Sequence, residues 1–344
     1  MKPLAVSMGE PAGVGPDIIL MAHQRLKDDA NTPALLVFGD PALLQSRASR
    51  LGLATDRLRV AVNAKEATRV ADPSHLTIVE TDAVIDQPGV LAPETGQATI
   101  VALERALDAV RVNDCAALVT APIHKANLYA TGFAFPGHTE YLEDYANRHW
   151  PSSDPHAVMM LAGPQLRTVP VTVHIPLAEV PTKLTTDQII TVAQRTARDL
   201  KVRWGCPQPR LAIAGLNPHA GEQGNLGLED DKVISPAIAA LKAEGYSVSG
   251  PWPADTLFHP EARATYDVAL CMYHDQALIP VKTLDFHSTV NVTLGLPFVR
   301  TSPDHGTALD LAGTGKASPN SMIASIRLAA KLATSEAAQS LETV

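Results

Sequence analysis

Along the chain, short runs of aliphatic and β-branched residues alternate with segments whose apolar positions recur every three to four residues. Residues 4–8, 34–39, 58–62, 76–80 and 116–121 read as strands, and their nearly unbroken apolar character predicts burial on both faces, as in a parallel sheet. Residues 41–51 have helical spacing, and residues 97–112 form a stronger amphipathic period. The second half repeats the alternation. It holds a helix at 141–148 with Thr139 placed to cap it, a hairpin-like strand pair at 157–162 and 167–173, helices within 186–200 and 233–244, and a strand at 211–216. Such regular alternation predicts a largely parallel, layered α/β fold, and no internal repeat or low-complexity tract interrupts it.

At 344 residues the chain exceeds what one core usually organises, so two lobes are expected. With 46% hydrophobic and 19% charged residues it should fold rather than stay disordered. The net charge of −8 argues against nucleic acid and anionic membranes as partners, so an anionic substrate would need a local basic pocket. Cys115, Cys206 and Cys271 lie far apart with no C-x-x-C spacing, which fits a reducing compartment and inert thiols. The apolar run after Met1 and Lys2 is too short for a secretory signal, and no later run is long enough to span a bilayer. A cytoplasmic location without a membrane partner is the expectation.

Candidate chemistry concentrates where the predicted strands end, the edge at which open α/β sheets collect ligands. The stretch 271–313 sets His274 and Asp275 directly after a buried run, then adds Lys282, Asn291, Arg300 and a turn around Asp304, His305 and Gly306. His174 ends VPVTVH, His219 follows LAIAGLNP, and His274 follows VALCMY. One such histidine is ordinarily a satisfied structural group, whereas three at equivalent strand ends can converge on a divalent ion and leave positions open for substrate. Nitrogen ligands favour zinc or cobalt over magnesium. The run GEPAGVGP gives a tight turn into a helix opened by Pro16, and its spacing is not G-x-G-x-x-G, so a Rossmann site is not expected. His138 beside Thr139 reads either as a loop histidine near a helix start or as part of an anion site.

The runs GEPAGVGPD (9–17), FPGHTE (135–140), GLNPHAGE (215–222), PADTLF (253–258), YHDQ (273–276) and VNVTLGLPFVRT (290–301) resemble, in order and spacing, the 4-hydroxythreonine-4-phosphate dehydrogenases of pyridoxal phosphate biosynthesis. The resemblance covers nearly the whole chain. A more distant likeness joins DHGTALDLAG (304–313) to the cofactor loop of isopropylmalate and isocitrate dehydrogenases, and GEPAGVGPD to their first glycine turn. These resemblances imply a two-lobed, layered α/β/α fold of the isopropylmalate dehydrogenase-like type, not Rossmann. Residues 1–130 plus 302–344 would form the nucleotide-side lobe, and residues 131–301 the metal, substrate and dimerisation lobe.

By the same resemblance the metal ligands are His174, His219 and His274, and the substrate contacts are His138, Thr139, Lys282, Asn291 and Arg300. Asp255 and Asp275 fall at acidic positions of the family's site, with Lys282 the first choice for the proton relay and Asp275 the second. Gly13, His305, Gly306 and Asp310 match the nucleotide loops. Asp310 corresponds to a carboxylate that faces the adenosine ribose and favours NAD over NADP; the other reading makes it a helix-capping residue near Gly313. The implied activity is NAD-dependent oxidation, with one divalent ion (zinc, cobalt or magnesium), of the C3 hydroxyl of 4-phosphohydroxy-L-threonine to a 3-oxo acid. That acid decarboxylates to 3-amino-2-oxopropyl phosphate, and the family acts as a homodimer with sites between subunits. Two other readings are a dehydrogenase of a phosphorylated sugar acid such as 4-phosphothreonate, and a non-catalytic metal-dependent phosphate-binding protein, which would not need the nucleotide loop. Ala277 and the residues 286–288 depart from glycines common in the family, which implies a reshaped loop around Lys282.

Overall fold

Apolar runs can stay buried along their whole length only where both faces of a sheet are covered, and most strands of this chain are of that kind. The computed structural model describes residues 1–342, with the side chains of residues 1–336. Among them twelve strands form: β1 Leu4–Ser7, β2 Leu35–Gly39, β3 Leu58–Ala61, β4 Leu76–Glu80, β5 Leu118–Thr120, β6 Val158–Ala162, β7 Arg167–Pro170, β8 Arg210–Ala214, β9 Ser247–Trp252, β10 Val268–Cys271, β11 Val290–Leu294 and β12 Arg300–Pro303. The chain divides into two compact units, one of Met1–Pro155 with Leu296–Thr334 and one of His156–Gly295 with the residues from Ser335 onward. The joins between these compact units fall at 155/156, 295/296 and 334/335. Tyr141 and Tyr145 donate hydrogen bonds to Glu104 and Asp108 (2.8 and 2.6 Å), which holds the segment around residue 140 to the first unit.

In the first unit the strand order is β3-β4-β2-β1-β5-β12 with parallel neighbours throughout, in registers such as Leu4 with Leu35 and Arg300 with Leu118. Leu4, Met8, Ile18, Ile19, Phe38 and Leu44 are buried in its core. In the second unit the order is β11-β6-β7-β10-β8-β9. Here β10 runs parallel to β7 and β8, and β8 to β9, while β6 is antiparallel to β7 and β11, so the expected strand pair exists as β6 and β7. Leu161, Ala212, Ala269, Cys271, Ala277 and Val281 pack together in this unit.

Local chemistry sets the helix starts. Asp40 accepts the amide of Ala42 at 2.9 Å and Pro41 supplies a pre-set first turn for the helix Pro41–Arg50. Pro93 does the same for the helix Pro93–Arg111, which therefore begins before residue 97. Thr185 and Gln188 form a reciprocal capping box at the start of Thr186–Arg203. The expectation for Thr139 needs correction: the helix runs His138–His149 from Gly137, so Thr139 lies inside the first turn and caps nothing. Cys115 and Cys271 are buried free thiols and Cys206 is half-buried. Among the described residues no helix is long and apolar enough to cross a membrane.

Candidate active site

In the second unit the adjacent parallel strands β7, β10 and β8 deliver the histidine-bearing segments to one edge of the sheet. His174 is exposed beyond β7, and His274 is the first residue of the helix His274–Leu284. Their rings lie 5.9 Å apart between centroids. His219 follows β8 on a turn in which every residue from His219 through Gly224 has positive φ. Such a left-handed stretch costs about 1 kcal/mol or more at each non-glycine residue, and it persists only where neighbouring contacts enforce it. Among the described residues no group of three or more His, Cys, Asp or Glu side chains is gathered closely enough to hold a metal ion. One chain thus brings His174 and His274 together, with His219 on the same edge but outside their cluster. Two imidazoles at this separation supply part of a nitrogen-donor set suited to zinc or cobalt.

Of the other predicted residues of this unit, Asp275 and Lys282 share the helix of His274. Asp275 is exposed, with a carboxylate oxygen 3.3 Å from Nδ1 of His274. Lys282 occupies the last turn of the helix His274–Leu284, half-buried, with Nζ 5.8 Å from the centre of the Phe286 ring. It is carried on a helix and not on a loop. Ala277, where the family often has glycine, is fully buried in that helix and its carbonyl accepts from Thr168, so no left-handed conformation is required there. Asp255 is exposed on the short helix Ala254–Leu257. Asn291 on β11 has Oδ1 buried without a hydrogen-bond partner, an acceptor that a bound polar group would satisfy.

In the first unit Arg300 opens β12, 2% exposed, and donates to Oγ1 of Thr120 at 2.7 Å. Burial pushes its guanidinium down to about 10, which still leaves it charged at neutral pH. His138 has Nε2 enclosed with no hydrogen-bond partner. Burial, reinforced by the charges of Arg300 and Lys125, holds its imidazole well below the usual histidine value. His138 and Thr139 head a helix whose N-cap, Gly137, offers no side-chain acceptor to the first amides. A neutral imidazole, a buried guanidinium and uncapped helix N–H groups make a cradle for an anion. Lys125 was not singled out from the sequence, although it follows a predicted strand end as the other candidates do.

The two loops assigned to the nucleotide also meet within the first unit. Val14 donates to the carbonyl of Thr307 at 2.9 Å, and a Cβ on Gly13 would stand 3.0 Å from Thr307, so any larger residue there would press the two loops apart by a few tenths of an ångström. His305 and Gly306 are exposed in the second loop. Asp310 is exposed within the 3-10 turn Leu309–Leu311, whose N-cap is Ala308, so it does not serve as a helix cap. Beneath the loops lies a residue the sequence reading passed over. Arg47, 0% exposed, donates to Asp17, to Asp86 and to the carbonyls of Pro11 and Gly13, while Asp17 accepts the amide of Gly313 at 2.7 Å.

With this geometry established, comparison with known proteins identifies the lineage. Residues 31–329 match the family model of the pyridoxal phosphate biosynthetic protein PdxA. The chain belongs to the PdxA family. A 4-hydroxythreonine-4-phosphate dehydrogenase of Xanthobacter autotrophicus is 49% identical over 342 residues, covering 97% of this chain and 95% of the relative. A crystal structure of the Klebsiella pneumoniae 4-hydroxythreonine-4-phosphate dehydrogenase superposes with a TM-score of 0.85 at 37% identity, covering 97% of this chain and 100% of that one. A terephthalate 1,2-cis-dihydrodiol dehydrogenase from Burkholderia xenovorans matches at 28% identity and a TM-score of 0.63, covering 96% of this chain and 98% of its own. PdxA membership agrees with the α/β fold and with an oxidoreductase acting on a small phosphorylated substrate.

Proposed function

We propose that the chain is an NAD- and metal-dependent dehydrogenase that oxidises the C3 hydroxyl of 4-phosphohydroxy-L-threonine to a 3-oxo acid, which loses CO₂ to give 3-amino-2-oxopropyl phosphate. The observation that carries this reading is the cradle of buried Arg300 and half-buried His138, whose Nε2 is enclosed, at an uncapped helix start in a chain of the PdxA family. It suits a phosphate or carboxylate and has little use in a purely structural helix. Arg300, His138 and Thr139 bind anionic groups, and Asn291 offers its free acceptor oxygen to a substrate hydroxyl or ammonium. Lys282 takes the proton of the C3 hydroxyl, with Asp275 the second candidate. Asp255 or Asp275 pairs with the C2 ammonium.

His174, His219 and His274 would hold the divalent ion, and Gly13, His305, Gly306 and Asp310 the dinucleotide. When bound, the ion supplies Lewis-acid polarisation and the dinucleotide supplies oxidising power. A homodimer completes this reading. Leu177, Trp252, Ile279 and Phe286 of the second unit are large apolar side chains left exposed, which supports a partner surface, and a second subunit can supply the imidazole missing from the pair. A cytoplasmic enzyme fits a phosphorylated metabolite and unpaired cysteines.

A second reading, a dehydrogenase of a sugar-acid phosphate such as 4-phosphothreonate, draws support from the dihydrodiol dehydrogenase, whose fold serves a different diol. The deciding experiment follows NADH formation with both phosphates at equal zinc and ionic strength. Higher kcat/KM with 4-phosphohydroxy-L-threonine is expected, and Asp255→Asn should reduce both rate and discrimination. Faster turnover of 4-phosphothreonate would transfer the assignment to the sugar acid.

A further inference from the structure

We infer that Asp230 and Gln276 are positioning residues for the metal site, two buried side chains that hold the loops bearing His219 and His274. The inference rests on the metal reading above and goes beyond it, since neither side chain is a ligand.

Asp230 is fully buried at the start of the π-turn Asp230–Ile234, and its partners are N–H groups rather than a cation. Its carboxylate accepts the amides of Leu216 and Asn217 at 2.9 and 3.1 Å and the side-chain amide of Asn217 at 3.0 Å. These bonds fix the chain directly before the left-handed stretch that carries His219. Glycines make room for the carboxylate: a Cβ on Gly215 would stand 2.7 Å from Asp230 Oδ1, and one on Gly221 3.3 Å from its Oδ2. A buried carboxylate among backbone amides is costly to form and rigid once satisfied. The strained turn has in it a contact that enforces its path.

Gln276, 8% exposed, ties two strand ends together. Its Oε1 accepts the amide of Met272 at 2.7 Å and its Nε2 donates to the carbonyl of Gly215 at 2.8 Å. Thr172 donates to the carbonyl of Met272 through both its amide and its hydroxyl. A continuous path of hydrogen bonds therefore runs from the segment before His174, through that before His274, to that before His219. Every link but one ends on backbone. Loss of a side chain shifts where imidazoles stand and leaves their chemistry unchanged.

Gln276→Met and Asp230→Asn in the full-length protein test this through zinc affinity, measured by competition with a chromophoric chelator, and through the absorption bands of the Co²⁺-loaded protein. Outer partners of metal ligands typically change affinity by about 10–100-fold, and that loss is expected here with altered Co²⁺ bands and a metal-free melting temperature close to the parent's. Parent-like zinc affinity in Gln276→Met overturns the inference, whether or not Asp230→Asn folds. So does an affinity loss that merely tracks a fall in metal-free melting. Parent protein that binds neither zinc nor cobalt removes the metal reading itself, a result distinct from a parent that binds and variants that bind equally.

Discussion

Replacing Arg47 by Met would measure how far the first unit's loops depend on one buried guanidinium. Arg47 and Asp17 are 0% exposed and Asp86 6% exposed, so the substitution leaves two carboxylates in a site built around a cation. Removing one member of a buried ion pair costs about 3–5 kcal/mol, because the remaining charge is uncompensated. The carbonyls of Pro11 and Gly13 also lose donors that had stood at 3.0 and 3.2 Å, which keeps the estimate at the upper end of that range. For a cooperative unit of this size a loss of that order lowers the melting temperature by about 6–20 °C. Arg47→Lys keeps the charge but cannot fork between two carboxylates and two carbonyls, so it should fall between parent and Arg47→Met. Thermal melts followed by circular dichroism give the stability, and initial rates give KM for NAD and for the phosphorylated substrate separately. KM for NAD should rise, because Gly13 and Gly313 lose their common anchor, while KM for the phosphate changes little. A melting temperature of Arg47→Met within about 2 °C of the parent would refute the ion-network argument. A large fall in melting with unchanged KM for NAD would instead separate the network from the nucleotide loops.

Further outcomes follow from single groups. Burial pulls buried His23 down to about 4, so between pH 6.5 and that value the unfolded chain takes a proton that the folded one refuses. Stability is therefore undiminished above 6.5 and falls with acidification, by roughly 3 kcal/mol near pH 4; His23→Gln should flatten urea midpoints across this window, and an unchanged slope counts against it. His219→Ala should lose bound zinc and turnover while melting like the metal-free parent, since an exposed residue packs no core; full activity in metal-free variant protein contradicts the ligand assignment. Asp310→Asn should narrow a preference for NAD over NADP, and a parent enzyme already faster with NADP overturns that role.

The strands were legible because a parallel sheet demands unbroken apolar runs, and the histidines stood out because each follows such a run. Other features were legible in principle. Leu43, Leu44, Arg47 and Ala48 share one face at helical spacing, so Arg47 sat on the apolar side of its helix in plain view. The departures from glycine at Ala277 and 286–288 imply a reshaped loop around Lys282, whereas Lys282 lies in the last turn of the helix His274–Leu284, which holds Pro280 in its interior. Asp230 gave no such signal. Its role depends on a left-handed turn after β8, and that backbone path is set by hydrogen bonds that only the folded chain reveals. The missing third imidazole has the same character, because convergence on one sheet edge does not fix the distance between side chains.

The acidic chain and its anionic substrate are reconciled by where the cations are placed. A net charge of −8 spread over the surface acts through water and salt, and its reach is about 8 Å at physiological ionic strength. Arg300, 2% exposed, acts in a medium where one charge at 4 Å is worth about 4 kcal/mol against about 1 kcal/mol in bulk water. A second cation beside it would repel it by a similar amount. His138 avoids this by remaining neutral at pH 7, held there by burial and by Arg300 and Lys125, so in the proposed site it would offer a hydrogen bond without adding charge. Anion binding should therefore depend weakly on salt, because the interacting groups are shielded from counterions. Titration of inorganic phosphate as a competitive inhibitor at low and high potassium chloride tests this. The inhibition constant should change by less than about threefold between 0.05 and 0.5 M salt. A tenfold or greater weakening would mean that exposed cations hold the anion, and the buried cradle would lose its claim to the substrate.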